Sequence, residues 1–164
     1  MFKIGEKIVN RSGKVCEVID IEEADYGVGL KTYYVLSPCF TNNNSLVLHT
    51  PVEQESTLRK VMNKDDVERL ILSIPDIEVI WITNPKIRKT KFKELYTSGE
   101  PKEILRLIKS FVKRKDEFKN DKKTLSFTDE NFLTEIKTNL YYEISLALNL
   151  SFDQVDELIS NKLN

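Results

Sequence analysis

Few residues in this sequence are of the types that usually carry out catalysis or bind metal ions. His49 is the only histidine, and Cys16 and Cys39 are isolated cysteines without the CxxC spacing of a metal or redox motif. A zinc site needs three or four clustered ligands, and a catalytic base is normally accompanied by a nucleophile. We therefore predict no catalytic residue, no metal site and no cofactor, and we interpret both cysteines as core or strand residues.

The acidic pairs and the glycines also fit structural roles. Asp65-Asp66 and Asp129-Glu130 fall where helices are predicted to begin, and the helix dipole stabilises carboxylates there. The five glycines are scattered and form no phosphate-binding loop. An enzyme without a recognisable motif stays open as the least favoured interpretation. We predict that the chain is not an enzyme and takes no small-molecule substrate.

The strongest chemical signal is a basic segment in the middle of a nearly neutral chain. The whole chain has a net charge of −1, whereas residues 82–123 carry 14 Lys or Arg against 6 Asp or Glu. On a helix starting at Pro85, Lys86, Lys89 and Lys93 form one stripe, with Arg88 and Lys91 beside it. Long basic side chains on a rigid helix suit phosphate contacts, which position a protein on DNA without reading sequence. A solvated helical surface is the alternative interpretation.

Trp81, the only tryptophan, lies just before this predicted helix in the apolar run at 79–82. Two interpretations stay open. The indole is either a core residue between two helices or an apolar wedge at the edge of a DNA duplex, a device used by minor-groove binders.

Length and composition indicate a folded protein with one ordinary domain or two small ones. The chain has 164 residues, of which 40% are hydrophobic and 31% charged. No apolar run approaches the roughly 20 residues that a membrane helix needs, and the first residues do not form a signal peptide. We therefore expect a cytoplasmic, nucleoid-associated protein without a membrane partner.

The first 55 residues predict short β-strands joined by tight turns. Two β-branched runs flank a turn at 11–14, a third strand covers 32–36, and a fourth covers 46–49 before Pro51. In the second strand, Val15, Glu17, Ile19 and Ile21 are predicted to share one face, and Cys16, Val18 and Asp20 the other.

After residue 55 the hydrophobic period becomes helical. Asn63 is predicted to cap the first helix, and Asn84-Pro85 to open a second, which Gly99 ends. A third helix follows Glu100-Pro101, a fourth follows a Thr128 cap, and Ser151 opens a short fifth. On the second helix, the apolar face is predicted to be Ile87, Phe92, Leu95 and Tyr96.

Strands followed by helices, without alternation, indicate an α+β protein with two segregated units. We predict an N-terminal SH3/Tudor-like small β barrel at 1–55, followed by an all-α helical bundle domain of about five helices at 56–164.

Five segments along nearly the whole chain resemble, in the same order, the CarD/CdnL family of bacterial transcription regulators. No single segment is decisive, but five in the right order are fairly specific. They are MFKIGEKIV, KTYYVL with LVLHTPVE, STLRKVMNKDDVERLI, SGEPKEILRLIKSF and YYEISLALNLS. One departure is that the family's Tyr-Pro-x-x-Gly after the first strand is replaced here by residues 10–13.

The resemblance implies that the first unit binds RNA polymerase. In this family that unit is similar to the polymerase-interacting domain of the transcription-repair coupling factor, a Tudor-like domain that binds the polymerase β subunit. Pairing of an exposed sheet edge with the partner's sheet is the expected mode. The positions carried over are Ala24, Val47 and His49; the family often has arginine at the positions of Ala24 and His49.

The resemblance also implies that the helical unit contacts promoter DNA at the upstream edge of the transcription bubble. The family wedges a tryptophan at the start of its second helix into the minor groove. Arg88 matches the family's basic position, while the tryptophan position falls on Pro85, four residues after Trp81. The expected DNA-binding residues are Trp81, Lys86, Arg88, Lys89 and Lys91.

We therefore predict a transcription regulator that binds the RNA polymerase β subunit and promoter double-stranded DNA and alters the stability of the open complex. The alternative is a protein-interaction module that binds polymerase or another partner without touching DNA, its basic segment being merely solvated.

Overall fold

The computed structural model describes residues 1–164, and the protein is α+β, as predicted. Contacts divide the chain into two compact units, Met1–Val61 and Met62–Asn164. The first holds all the strands and the second all the α-helices. The sequence predicted the boundary after residue 55, six residues before the observed one. The first unit extends further because Arg59–Lys60 forms a strand that pairs with Ile8 and Val9.

The first unit is a five-stranded antiparallel sheet with the order β4-β3-β2-β1-β5. Neighbours in sequence are neighbours in the sheet, except that the last strand returns to pair with the first. The strands are β1 (Lys7–Val9), β2 (Val15–Asp25), β3 (Leu30–Pro38), β4 (Leu48–Pro51) and β5 (Arg59–Lys60), with a 3-10 turn at Val52–Thr57 before β5. The sheet is not closed: β4 and β5 are its two edges. The closed barrel that the sequence suggested is therefore not seen.

A β-bulge decides which residues of β2 enter the core. Val18 pairs with Leu36 but Asp20 pairs with Val35, so the extra residue between them is Ile19. The bulge reverses the alternation beyond it, and Ile21 therefore packs with Cys16 and Val18 on the core face. The predicted grouping of Ile21 with Val15, and of Asp20 with Cys16, is wrong, since strict alternation does not anticipate a bulge.

The second unit contains five α-helices and a 3-10 turn at Ile74–Asp76. The longest helix, α4, packs against α1, α3 and α5, and α2 packs against α3. The helices are α1 (Lys64–Leu72), α2 (Pro85–Thr97), α3 (Pro101–Asn120), α4 (Phe127–Leu148) and α5 (Phe152–Leu163). None of them combines the length and apolar character that crossing a bilayer requires.

Local capping chemistry sets most helix starts. Asn63 and Ser151 each form a reciprocal capping box, and the Asn84 side chain accepts hydrogen bonds from the amides of Lys86 and Ile87. The predicted Thr128 cap is wrong. The cap is Ser126, two residues before Thr128, and its side chain accepts a hydrogen bond from the backbone amide of Asp129. Both positions offer a hydroxyl, so local capping preference does not distinguish them; Leu125, just before Ser126, is buried.

Candidate nucleic-acid and partner-binding surfaces

The face of α2 that carries Lys86, Lys89 and Lys93 is exposed. Helical spacing places these three residues within about 60° of one another around the axis. All three side chains are exposed, and none of their ammonium groups forms an ion pair. We call these three residues the α2 lysine stripe. It presents unneutralised positive charge on a rigid element, as phosphate contacts require.

Lys91 differs from the lysine stripe although it too is exposed. It projects from another flank of α2 and forms an ion pair of 3.5 Å with Glu94, three residues on. Its charge is therefore partly compensated on the helix itself. The structure brings Lys86 and Lys89 together and does not bring Lys91 to the same stripe.

Arg88, predicted to contact DNA, is instead buried, with 6% of its surface exposed. Its Nη2 donates to Oδ2 of Asp129 at 2.7 Å, and its Nη1 donates to the carbonyl oxygens of Ile82 and Thr83. A guanidinium used in this way cannot reach a phosphate without breaking the fold. Arg88 thus positions the segment before α2 against α4, and its predicted direct contact with DNA is corrected.

The burial of Arg88 follows from the packing of α2. Phe92 and Tyr96 are four and eight residues further on and lie on the same buried face. The sequence placed Ile87 there, but Ile87 is 58% exposed. The buried Asp129 compensates the charge of Arg88, and sequence spacing alone does not reveal a partner 41 residues away.

Trp81 is partly buried and lies against the aromatic core of the second unit. Its ring centroid is 6.1 Å from that of Phe92 and 5.8 Å from that of Phe111, both in edge-to-face geometry. The guanidinium carbons of Arg88 and Arg114 lie 4.5 and 5.3 Å from the indole centroid. The indole is therefore packed against two rings and two guanidinium groups, and part of it stays exposed.

In the first unit, Ala24 and His49 lie on one face of the sheet. Ala24 pairs with Lys31 on β3 and His49 pairs with Val35, and residues two apart on β3 share a face. That face is opposite to the one that contributes Tyr34 to the core. The two residues therefore project from the same face although 25 positions separate them in sequence.

His49 belongs to a polar-aromatic cluster on this face. Its Nε2 lies 3.3 Å from Oε1 of Glu22, and the same oxygen accepts a 2.8 Å hydrogen bond from the Tyr26 hydroxyl. The Tyr26 ring packs against His49 at 5.2 Å and against Tyr33 at 5.0 Å. The hydrogen bond to Glu22 raises the pKa of Tyr26. These contacts hold the side chains of the sheet face in a defined arrangement next to the edge strand.

Val47 precedes edge strand β4 and is exposed. Because β4 ends the sheet order, one side of its backbone has no neighbouring strand in this chain. A free edge beside exposed apolar side chains suits strand addition by a partner. Val47 lies beside the edge and His49 within the edge strand, which puts both near such a partner.

The remaining chemical groups that the sequence singled out have structural positions. Cys16 is buried and Cys39 partly buried, and both are free thiols. Burial, and then the neighbouring Cys39, raise the pKa of Cys16 to about 12. No group of three or more His, Cys, Asp or Glu side chains could hold a metal ion.

One buried acid escaped the sequence reasoning. Glu143 has 1% of its surface exposed, within the apolar segment of α4, and its Oε1 accepts the amide of Met62 at 2.9 Å. It thereby fixes the chain just before α1 to the central helix. A single acid among apolar residues on the inner face of a long helix is the signal that points to such a role.

Comparison with known proteins finds no match: no protein-family model fits the sequence, and no curated protein is significantly similar to it.

Proposed function

We propose that this chain is a transcription regulator of the CarD/CdnL type. Its first unit binds the β subunit of bacterial RNA polymerase, and its second unit binds promoter DNA at the upstream edge of the bubble. The observation that carries the proposal is the α2 lysine stripe, three exposed and unpaired lysines on a helix that begins beside a firmly held, partly exposed tryptophan.

The first unit supports the polymerase half of the proposal by its topology. The proposed SH3-like or Tudor-like unit would need a five-stranded antiparallel sheet whose last strand pairs with the first; this sheet has that pairing, although it stays open between β4 and β5. Edge strand β4 offers backbone groups for pairing, while Val47 and His49 supply side chains beside them. Ala24 then flanks the contact from the same sheet face as His49.

The second unit supports the DNA half by its charge and its rigid indole. The lysine stripe would contact backbone phosphates, and the exposed part of Trp81 would meet the base pair at the melting edge. Arg88 does not contact DNA in this arrangement; it positions Trp81 and the segment up to Thr83.

The proposed mechanism is thermodynamic linkage. A factor that binds the open complex more tightly than the closed complex shifts the equilibrium by its differential affinity, about 1.4 kcal/mol for each factor of ten. Because one chain carries both units, binding to polymerase raises the local concentration of the lysine stripe near DNA. Three lysines with weak affinity of their own are then sufficient.

The experiment that tests both halves uses the full chain and four variants. Val47→Asp and His49→Asp change the polymerase surface, whereas a combined Lys86→Ala, Lys89→Ala and Lys93→Ala variant changes only the lysine stripe; Lys91→Ala is the matched lysine control. Binding to the isolated β subunit is measured alongside binding to a fully paired promoter duplex. We expect the first two variants to lose β binding and keep DNA binding, and the triple variant to do the reverse.

Two outcomes would count against the proposal. If the wild-type chain does not bind the β subunit, the polymerase half fails. If the triple variant binds the duplex as tightly as wild type, the chain is better described as a protein-interaction module whose lysines are only solvated.

A further inference from the structure

A second surface of the helical unit combines an exposed aromatic ring with positive charge. A cleft of about 480 Å³ lies between the end of α3 and the start of α4, lined by Lys115, Lys119, Lys123, Leu125, Phe127 and Glu130. That volume is in the range of sites that take a small organic group. The cleft uses none of the residues of the α2 lysine stripe.

Phe127 is the feature of this cleft that folding does not explain. Its side chain is 83% exposed, more than any other aromatic side chain in the chain, although it is the first residue of a 22-residue helix. The neighbouring Leu125 is buried and already anchors this turn to the core. An aromatic ring held at the start of a rigid helix provides a flat apolar surface for another ring.

The lysines around Phe127 differ in how far their charge is compensated. Lys115 forms a 2.8 Å ion pair with Glu130, and Lys119 a loose 3.8 Å pair with the exposed Asp116. Lys123 is exposed and has no ion pair. Because Glu130 is held by Lys115 and Asp116 partly compensates Lys119, the charge left to an incoming ligand comes from Lys123 and in part from Lys119, and it is positive.

We propose that this cleft binds single-stranded nucleic acid, with one unstacked base on Phe127 and the adjacent phosphates at Lys119 and Lys123. Proteins that bind single strands combine aromatic stacking with a cationic track for the backbone. A duplex keeps its bases stacked and cannot offer one to Phe127, so the site distinguishes single strands from duplexes. The ligand need not be a promoter, and the inference stands independently of polymerase binding.

The test measures binding of a fluorescein-labelled oligothymidylate to the full chain by anisotropy over a series of salt concentrations. Phe127→Ala removes the ring from an exposed site, so the fold is retained, and we expect the affinity to fall by about fivefold or more. A combined Lys119→Ala and Lys123→Ala variant should make the slope of log K against log salt concentration shallower by about 1.4, which is about 0.7 for each lost phosphate contact. The controls are Leu72→Ala, an apolar side chain that is 72% exposed, and a combined Lys102→Ala and Lys162→Ala variant.

Several results would overturn the inference. Unchanged affinity in Phe127→Ala, or an equal loss in the controls, would leave no role for the cleft. Binding of polyglutamate as tight as that of oligothymidylate would assign the surface to an acidic protein partner. The Lys86, Lys89 and Lys93 triple variant separates the two proposals, since it should retain oligothymidylate binding at the cleft whether or not the α2 lysine stripe binds duplex DNA.

Discussion

The guanidinium carbon of Arg88 lies 4.5 Å from the centroid of the Trp81 ring. The same guanidinium donates to Asp129 on α4 and to the carbonyl oxygens of Ile82 and Thr83, so one buried cation joins the indole, α2 and α4. The orientation of the only tryptophan thus depends on an ion pair inside the helical unit.

We predict that Arg88→Met destabilises the helical unit by about 3–5 kcal/mol, because it leaves the carboxylate of Asp129 buried without its partner. Fluorescence of Trp81 during urea unfolding measures this, since the only tryptophan reports on the helical unit alone. The double variant Arg88→Met with Asp129→Leu should recover most of the loss. Equal instability of the single and double variants would contradict a compensated ion pair.

The salt dependence of duplex binding should separate the lysine stripe from Lys91. Removing one phosphate contact lowers the slope of log K against log salt by about 0.9, so the Lys86, Lys89 and Lys93 triple variant should lower it by about 2.7. Lys91→Ala, whose side chain is paired with Glu94, should change the slope far less. If Lys91→Ala changes the slope as much as each lysine of the stripe does, the position of a positive charge on α2 does not matter for duplex binding.

Trp81 emission should change when a duplex with a melted segment binds, because the exposed part of the indole would meet unstacked bases. The change should saturate with DNA concentration and should be absent for the triple lysine variant at the same concentrations. Emission that stays constant at saturating DNA would place the indole outside the contact and leave it a core residue only.

The two thiols should differ in reactivity toward a disulfide reagent at pH 8. Cys16 is fully buried and its pKa is raised to about 12, so almost no thiolate is available for attack. Burial raises the pKa of Cys39 as well, but its side chain is partly accessible. In the native protein we expect only Cys39 to react with the reagent, and slowly. Cys16 should react only after unfolding. Cys39→Ser should abolish native labelling; if labelling persists, the first unit opens readily.

Features set by neighbouring residues could be predicted from the sequence, whereas features set by distant ones could not. The start of α1 at Asn63 and of α2 at Asn84-Pro85 depends on side chains within three residues, and both were predicted. The pairing of β5 with β1 joins segments about 50 residues apart. The burial of Arg88 depends on its ion pair with Asp129, which lies on another helix. Neither contact leaves a local pattern.

The candidate sites follow the same division. Exposure of Lys86, Lys89 and Lys93 follows from helical spacing, which the sequence contains. The cleft at Phe127 was not predicted, because the ring starts a helix and the lysines beside it end the preceding one. Only the turn between α3 and α4 brings them together.

The most direct test of the proposed function is the lifetime of promoter open complexes formed by bacterial RNA polymerase, measured with and without this protein after a competitor is added. We predict that the wild-type chain changes the lifetime several-fold. The Lys86, Lys89 and Lys93 triple variant, while still bound to polymerase, should lose most of that effect. If open complexes have the same lifetime with the wild-type chain, with the triple variant and without the protein, the proposed function is contradicted.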